Sequence, residues 1–319
     1  MDPGALESAT RALELAMPGS VHRNAPFGAL TTWRVGGPAA VAVHVARSED
    51  LAVVASALTP GVPRIVLGRG SNLLVADAGF VGVVIMLGPT FERVAIGADR
   101  VTAGGATPLP VLARQCAAAG AAGLGFYVGI PGTVGGAVRM NAGGHGRETR
   151  DVLVEATIAD LDSDGLVRTR GVDELALGYR HSSLGRGAVV VGATYGVAEG
   201  DPAQLRAELR EVVRWRTEHQ PGGANAGSVF RNPPGDAAAR LIDAECGLRG
   251  TRIGGAVISE KHANFIQADQ DARAVDVWAL IIDVRRLVFD RYGIVLTPEV
   301  RPMGFDAALE PLVAPPTAP

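Results

Sequence analysis

Residues 129–146, GIPGTVGGAVRMNAGGHG, hold seven glycines, a proline, Thr133 and Asn141 within 18 positions. Glycine in place of alanine costs roughly 0.5–1 kcal/mol per ordered residue. A structural turn does not need that many glycines, whereas a loop laid flat against a ligand gives them a purpose. A shorter glycine loop, GRGSN (68–72), follows the apolar run IVL and precedes LLV. Its glycines let the backbone approach an anion, and successive N–H groups, with Ser71 Oγ and Asn72, can form a nest for pyrophosphate. It is not the dinucleotide fingerprint, because a strand follows it rather than a helix, and no Gly-Lys-Ser/Thr makes it a Walker A loop. Alone, GRGSN reads as an ordinary tight connection. Two glycine loops on different domains imply an extended ligand with a diphosphate between its ends.

Periodicity places the remaining elements. Residues 4–17 predict a short amphipathic helix, 33–46 a glycine-punctuated strand, and 48–58 a helix capped by Ser48. Residues 64–75 read as strand, loop, strand, and 81–87 as a further strand, giving a β-α-β opening. Across 91–200, short strands (100–105, 189–197) surround a helix at 108–120 and an irregular binding loop at 123–146. Residues 201–220 predict a strong helix, with Asp201 as cap and Pro202 in its first turn. A second helix, 271–293, precedes a strand at 294–302. The division expected is a helical extension (1–20), two subdomains (21–90 and 91–200), a third domain (201–298), a returning strand (299–306) and a flexible Pro/Ala-rich tail (307–319).

The net charge of −3 draws the chain to neither nucleic acid nor a membrane surface. Cys116 and Cys246 lack metal-ligand spacing; a disulfide stays open, but reduced thiols in a cytosolic protein are the simpler reading. No metal centre is expected. Residues 1–20 lack a basic region followed by an apolar run, and no stretch of about eighteen apolar residues suggests a span. The expectation is a soluble, cytoplasmic, monomeric protein.

Several segments together resemble one family. WRVGGPA (33–39), LGRGSNLLVAD (67–77), GIPGTVGGAVRMNAGGHGRE (129–148), YRHSS (179–183), NAGSVFRNP (225–233), LRGTRIGGAVISEKHANFI (248–266) and PEVR (298–301) resemble the UDP-N-acetylenolpyruvoylglucosamine reductases, in order along the chain. The resemblance implies an α+β architecture: the vanillyl-alcohol-oxidase (PCMH) type of FAD-binding fold, with two FAD-binding subdomains and a substrate-binding domain. It implies noncovalent FAD, NADPH as hydride donor and a small nucleotide-sugar substrate. The implied FAD contacts are Arg34; Gly68, Arg69, Gly70, Ser71, Asn72 and Leu73; and Ile130, Pro131, Gly132, Thr133, Gly135, Gly136, Ala137, Asn141 and Gly143. The short spacing from Arg180 to Ser228 resembles the family's second type. His145 and Leu184 depart from the aromatic residues common at those positions.

The implied reaction reduces an enol ether bearing a carboxylate, with hydride passing from flavin N5 to the enolpyruvyl methylene carbon. Charge building on the neighbouring carbon needs hydrogen-bonding support and a proton. Ser228 has no acid or histidine beside it, a poor setting for a triad nucleophile and a good one for a hydroxyl donating one proton. Arg180 offers a planar fork to a carboxylate. The resemblance implies that Arg180 and Glu299 stabilise the enolic intermediate. It also suggests substrate contacts at Tyr179, Asn232, Arg216, Lys261 and His262. Without the resemblance, Ser228 is a loop serine, Arg180 a surface ion-pair partner, Glu299 an edge-strand carboxylate and Lys261–His262 a solvated turn pair. Trp215 and Trp278 read as core. Two competing readings remain: another flavoenzyme of the same fold, oxidising an alcohol or hydroxy acid, and a non-catalytic nucleotide-sugar binder. The first often tethers FAD through a histidine in the first glycine loop, and GRGSN has none. The presence of Ser228, Arg180 and Glu299 argues against the second.

Overall fold

A computed structural model describes residues 3–305, and the tail expected at 307–319 lies outside the described residues. The chain packs into two units. One gathers the N-terminal segment through Ala25 with Ala40–Arg69 and Gly82–Arg216; the other gathers Pro26–Ala39, Gly70–Val81 and the chain from Thr217.

The first unit contains two apolar cores. Helices α1 (Pro3–Ala16) and α2 (Asp50–Ala57) accompany a four-stranded sheet in the order Val21–Ala25, Ala39–Val45, Phe80–Leu87, Arg64–Leu67. Its last two strands are parallel. Leu13, Val43, Leu51, Val54, Val83 and Ile85 fill the core they share. Contrary to the expectation from sequence, Ser48 does not cap α2. Its hydroxyl meets the Glu49 carboxylate, while Asp50 accepts from the Ala46 and Arg47 amides.

The second core lies beneath a five-stranded antiparallel sheet ordered Val167–Gly171, Leu153–Asp160, Ala188–Gly196, Arg100–Gly104, Val94–Ile96. Helices α3 (Leu109–Ala118), α4 (Val134–Met140) and α5 (Pro202–His219) complete this part. Asp201 caps α5 as read, accepting from Gln204 N at 2.8 Å. The segment read as an irregular loop carries α4 in its middle. Thr133 caps that helix, its hydroxyl accepting from Gly136 N at 3.4 Å. The paired glycines at 135 and 136 hid the helix, because glycine is a poor helix former.

Cys116, Tyr127 and Tyr195 are buried in this core. Loss of hydration on burial pushes the Cys116 thiol up to about 11, the Tyr127 phenol up to about 12 and the Tyr195 phenol well above its ordinary value. The folded chain therefore holds protons that the unfolded chain releases. Stability is fully present below the ordinary thiol and phenol values and falls as pH rises through the folded ones. Denaturant midpoints measured from pH 8 to pH 11 should decline across this range, and Tyr195→Phe should flatten the decline.

The second unit has a core of its own, which includes Trp33, Val35, Leu74, Phe230, Trp278 and Ile281. Residues 26–39 and 70–81, read from sequence as part of the 21–90 subdomain, pack here, because Trp33, Val35 and Leu74 belong to this core. Helix α6 (Ala238–Arg240) runs into a π turn (Leu241–Glu245), and α7 (Ala274–Tyr292) packs on a three-stranded antiparallel sheet, Arg252–Ile253, Ala256–Ile258 and Ile266–Ala268. Asp77 caps α7 from a distant part of the sequence, accepting from Ala274 N and Val275 N at 2.9 and 3.1 Å. The strand expected over 294–302 is shorter. Arg301–Met303 pairs in parallel with Leu73–Val75, while Pro298 makes a single bridge to Phe230. Proline has no N–H to continue a ladder.

Candidate active site

The second unit brings Ser228, Asn72 and Glu299 together. Glu299 N donates to Val229 O at 2.8 Å, and Arg231 N donates to Thr297 O at 2.9 Å. Glu299 is thus bonded to the residue directly after Ser228. Asn72 Nδ2 donates to Glu299 O at 3.1 Å, and Arg301 N donates to Asn72 O at 3.0 Å. Three motifs distant in sequence therefore share one hydrogen-bonded frame. Ser228 and Glu299 are both half-buried. The Ser228 and Ser71 hydroxyls have no hydrogen-bond partner among the described residues. Gly70 is left-handed (φ 62°), and a Cβ there would lie 2.7 Å from Thr31 Cα, so the loop's turn requires glycine.

Other sequence-suggested contacts of this unit fall in different settings. Arg34 is exposed and left-handed (φ 58°), between Trp33 and Val35 of the core. Trp33 Nε1 donates to Ile266 O at 2.9 Å, anchoring that segment. Leu73 is buried in the strand paired with Arg301–Met303. Asn232 is exposed, and its Oδ1 accepts from Ala238 N at 3.1 Å, at the start of α6. Lys261 donates to Thr217 O. His262 is half-buried, and its Nδ1 accepts from Asn264 N at 3.2 Å.

Burial holds the His262 imidazole below its ordinary value, with the Arg249 charge acting in the same direction. The neutral ring is the form that can accept the Asn264 N–H. Because the folded value is depressed, the stability this bond contributes is present above the ordinary histidine value near 6.5 and lost as pH falls through the folded value. Melting temperature should fall between pH 7.5 and pH 5, and His262→Asn should show a smaller fall. Equal falls in both proteins would show that His262 carries none of it.

Within the first unit, Gly68 at the start of the shorter glycine loop lies against Thr133 of the longer one. A Cβ on Gly68 would lie 2.7 Å from Thr133 Oγ1. Gly68, Arg69, Pro131 and Gly136 are exposed there; Ile130, Gly132, Gly135 and Gly143 are half-buried, and Ala137 is buried. The start of α4 is already occupied by the protein itself. Val134 N donates to Thr107 O at 3.0 Å and Gly135 N to Gly105 O at 2.8 Å, while Gly136 N bonds Thr133. The first N–H groups of α4 are therefore taken by the protein's own chain.

Asn141 is fully buried and left-handed (φ 43°). Its Nδ2 donates to Glu148 Oε2 and to Gly178 O, both at 3.0 Å, and its Oδ1 accepts from Arg150 N at 2.9 Å. Its amide therefore binds protein rather than presenting a free donor. Gly178 is the base of the turn that carries Arg180. Gly178 and His181 exchange two backbone bonds at 3.1 Å, leaving Tyr179 and Arg180 as a two-residue tip. Arg180 is left-handed (φ 51°), with its guanidinium 5.5 Å from the Tyr179 ring centre. Six non-glycine residues with positive φ occur among the described residues; Arg34, Asn141 and Arg180 are three of them. Such residues cost about 1–3 kcal/mol and concentrate where geometry is functional.

Arg216 donates to Gly129 O, tying the end of α5 to the glycine segment. Burial lowers the Arg216 guanidinium from its ordinary value. His145 packs edge-on against Trp215, with ring centres 5.4 Å apart. Its imidazole is lowered by burial and then by the Arg216 charge. Trp215, read as core, is 45% exposed, whereas Trp278 is buried. Cys116 and Cys246 are not joined in a disulfide, and no cluster of potential metal ligands occurs among the described residues. No helix among them is long and apolar enough to cross a membrane.

Comparison with known proteins gives these arrangements a family. Residues 38–170 match the FAD binding domain family, so the chain falls in the class of FAD-containing oxidoreductases with an α+β fold. Residues 219–303 match the family described as UDP-N-acetylenolpyruvoylglucosamine reductase, C-terminal domain. The chain is 44% identical to the UDP-N-acetylenolpyruvoylglucosamine reductase of Acidiphilium cryptum, over 90% of this chain and 92% of that one. It is 42% identical to that of Methylorubrum extorquens, over 97% and 99%. The crystal structure of UDP-N-acetylenolpyruvylglucosamine reductase (MurB) from Thermus caldophilus aligns with a TM-score of 0.76 and 37% identity, covering 89% of this chain and 98% of that one. This chain belongs to the UDP-N-acetylenolpyruvoylglucosamine reductase family, whose cofactors are FAD and NADPH.

Proposed function

We propose that this protein reduces UDP-N-acetylglucosamine enolpyruvate to UDP-N-acetylmuramate for peptidoglycan synthesis, as a cytoplasmic monomer using NADPH. The observation that carries this reading is the frame joining Ser228–Val229, Glu299 and Asn72 through bonds of 2.8 and 3.1 Å. Family membership supports the same substrate class.

The residues fit noncovalent FAD. Gly68 lies against Thr133, and the Ser71 hydroxyl is an unengaged donor within the described protein. Gly68, Arg69, Gly70, Ser71 and Asn72, with Thr133, would hold the diphosphate. Arg34, Leu73, Ile130, Pro131, Gly132, Gly135, Gly136, Ala137 and Gly143 would line the rest of the cofactor, and Asn141 would act through the backbone it ties. When bound, FAD supplies the hydride.

The chain's own residues do the rest. Arg180 presents a fork of donors to the substrate carboxylate as it gains electron density, an arrangement a point charge cannot reproduce. Glu299 supports the same developing enolate. Ser228 Oγ gives its proton to the substrate carbon, and an unengaged hydroxyl is suited to that transfer. Tyr179, Arg216, Asn232, Lys261 and His262 contact the nucleotide sugar. Incubating the holoenzyme with the enolpyruvyl nucleotide sugar and NADPH should yield a product heavier by two hydrogens. Unchanged substrate, with flavin that NADPH does reduce, would refute the assignment.

A further inference from the structure

Ser228 is followed by Val229 and Phe230, both buried. On one side this short stretch is held by the chain at 297–299: Val229 O accepts from Glu299 N, and Arg231 N donates to Thr297 O. Phe230 stands opposite Pro298 in this bridge. The bonds to 297–299 come from Val229 and Arg231, so the N–H and carbonyl of Phe230 need partners elsewhere. In an open sheet a third strand would supply them. Here a single side chain does. Asn264 Oδ1 accepts from Phe230 N at 2.9 Å, and Asn264 Nδ2 donates to Phe230 O at 2.8 Å. Asn264 O also accepts from Val229 N at 2.8 Å. Asn264 is only 4% exposed, and its own N–H is taken by His262 Nδ1.

We propose that Asn264 is the positioning residue for Ser228: its amide substitutes for a strand edge and fixes the backbone carrying the proton donor. The inference rests on the reading of Ser228 given above. Two features suit the role. Gly227 is left-handed (φ 77°), a conformation that favours glycine, so the chain turns sharply just before Ser228 and the clamp after it sets the serine's place. The side-chain amide bonds both main-chain groups of Phe230, and losing either bond leaves a buried polar group unpaired.

Asn264→Asp keeps the size and the oxygen facing Phe230 N, and replaces the donor to Phe230 O with an acceptor. In the FAD-loaded enzyme this variant should be reduced by NADPH within about twofold of wild type, because only the Ser228 segment shifts. Reduction of the enolpyruvyl nucleotide sugar should slow on the order of 10–100-fold in kcat with little change in KM, as for an interaction made only in the transition state. Its solvent deuterium isotope effect should rise, because proton delivery becomes limiting. Combined with Ser228→Ala, Asn264→Asp should add almost nothing, since both act through one hydroxyl. Full additivity, or slowing of both half-reactions alike, would overturn the inference. If Ser228→Ala alone leaves substrate reduction unaffected, the reading of Ser228 falls instead. Wild-type hydrogen exchange gives an answer even if the variant does not fold: slow exchange at Val229 and Phe230 supports the clamp, and exchange as fast as at surface loops refutes it.

Discussion

Ser228→Ala should leave flavin reduction by NADPH close to wild type and slow reduction of the enolpyruvyl substrate by on the order of 10²-fold or more, the loss typical of a missing proton donor. The asymmetry follows from where the serine sits. Its backbone is fixed by Glu299, on the 297–299 side, and by Asn264 on the other, so removing one oxygen should not displace the neighbouring chain. Ser228 is half-buried, and the alanine leaves no buried partner unpaired among the described residues. Stability should change little, since substitutions away from a core or a polar network usually stay within about 0.5 kcal/mol. Equal slowing of both half-reactions would assign Ser228 a structural part.

Arg180→Lys should abolish measurable turnover, a loss on the order of 10²–10³-fold or greater for a donor set aimed at developing charge. Lysine keeps the charge but not the planar pair of donors. Arg180 also holds a left-handed conformation at the tip of a two-residue turn, and a bulky side chain there is strained. Asn141 stabilises that turn from below through Gly178 O. Arg180→Gly should therefore keep the turn's backbone without strain while remaining inactive, separating backbone preference from chemistry. Wild-type turnover in Arg180→Lys would remove Arg180 from the site.

The sequence carried the principal elements because their periods and caps are local. Asp201 and Pro202 mark the start of α5, and the helix begins there. Long-range roles were less legible. Asp77 caps a helix nearly two hundred positions further along the chain, and nothing in LLVAD signals it. The glycine pair inside α4 concealed a helix whose first N–H groups depend on Thr107 and Gly105, residues outside the segment. Ser228, Arg180 and Glu299 are picked out mainly by motif resemblance, since spacing does not reveal that Glu299 meets Val229. The sequence does not single out Asn264. In HANF it reads as a turn asparagine, and the available signal was a polar residue set between Ala263 and the apolar pair Phe265–Ile266, where burial demands hydrogen-bond partners.

The role proposed for Ser228 places its action after the flavin has been reduced and on the substrate alone. The direct measurement is stopped-flow absorbance of the two half-reactions in Ser228→Ala, loaded with FAD and mixed first with NADPH, then with the enolpyruvyl nucleotide sugar. Normal bleaching of the flavin followed by severely delayed return of its absorbance is the predicted result. Return at the wild-type rate would contradict the account.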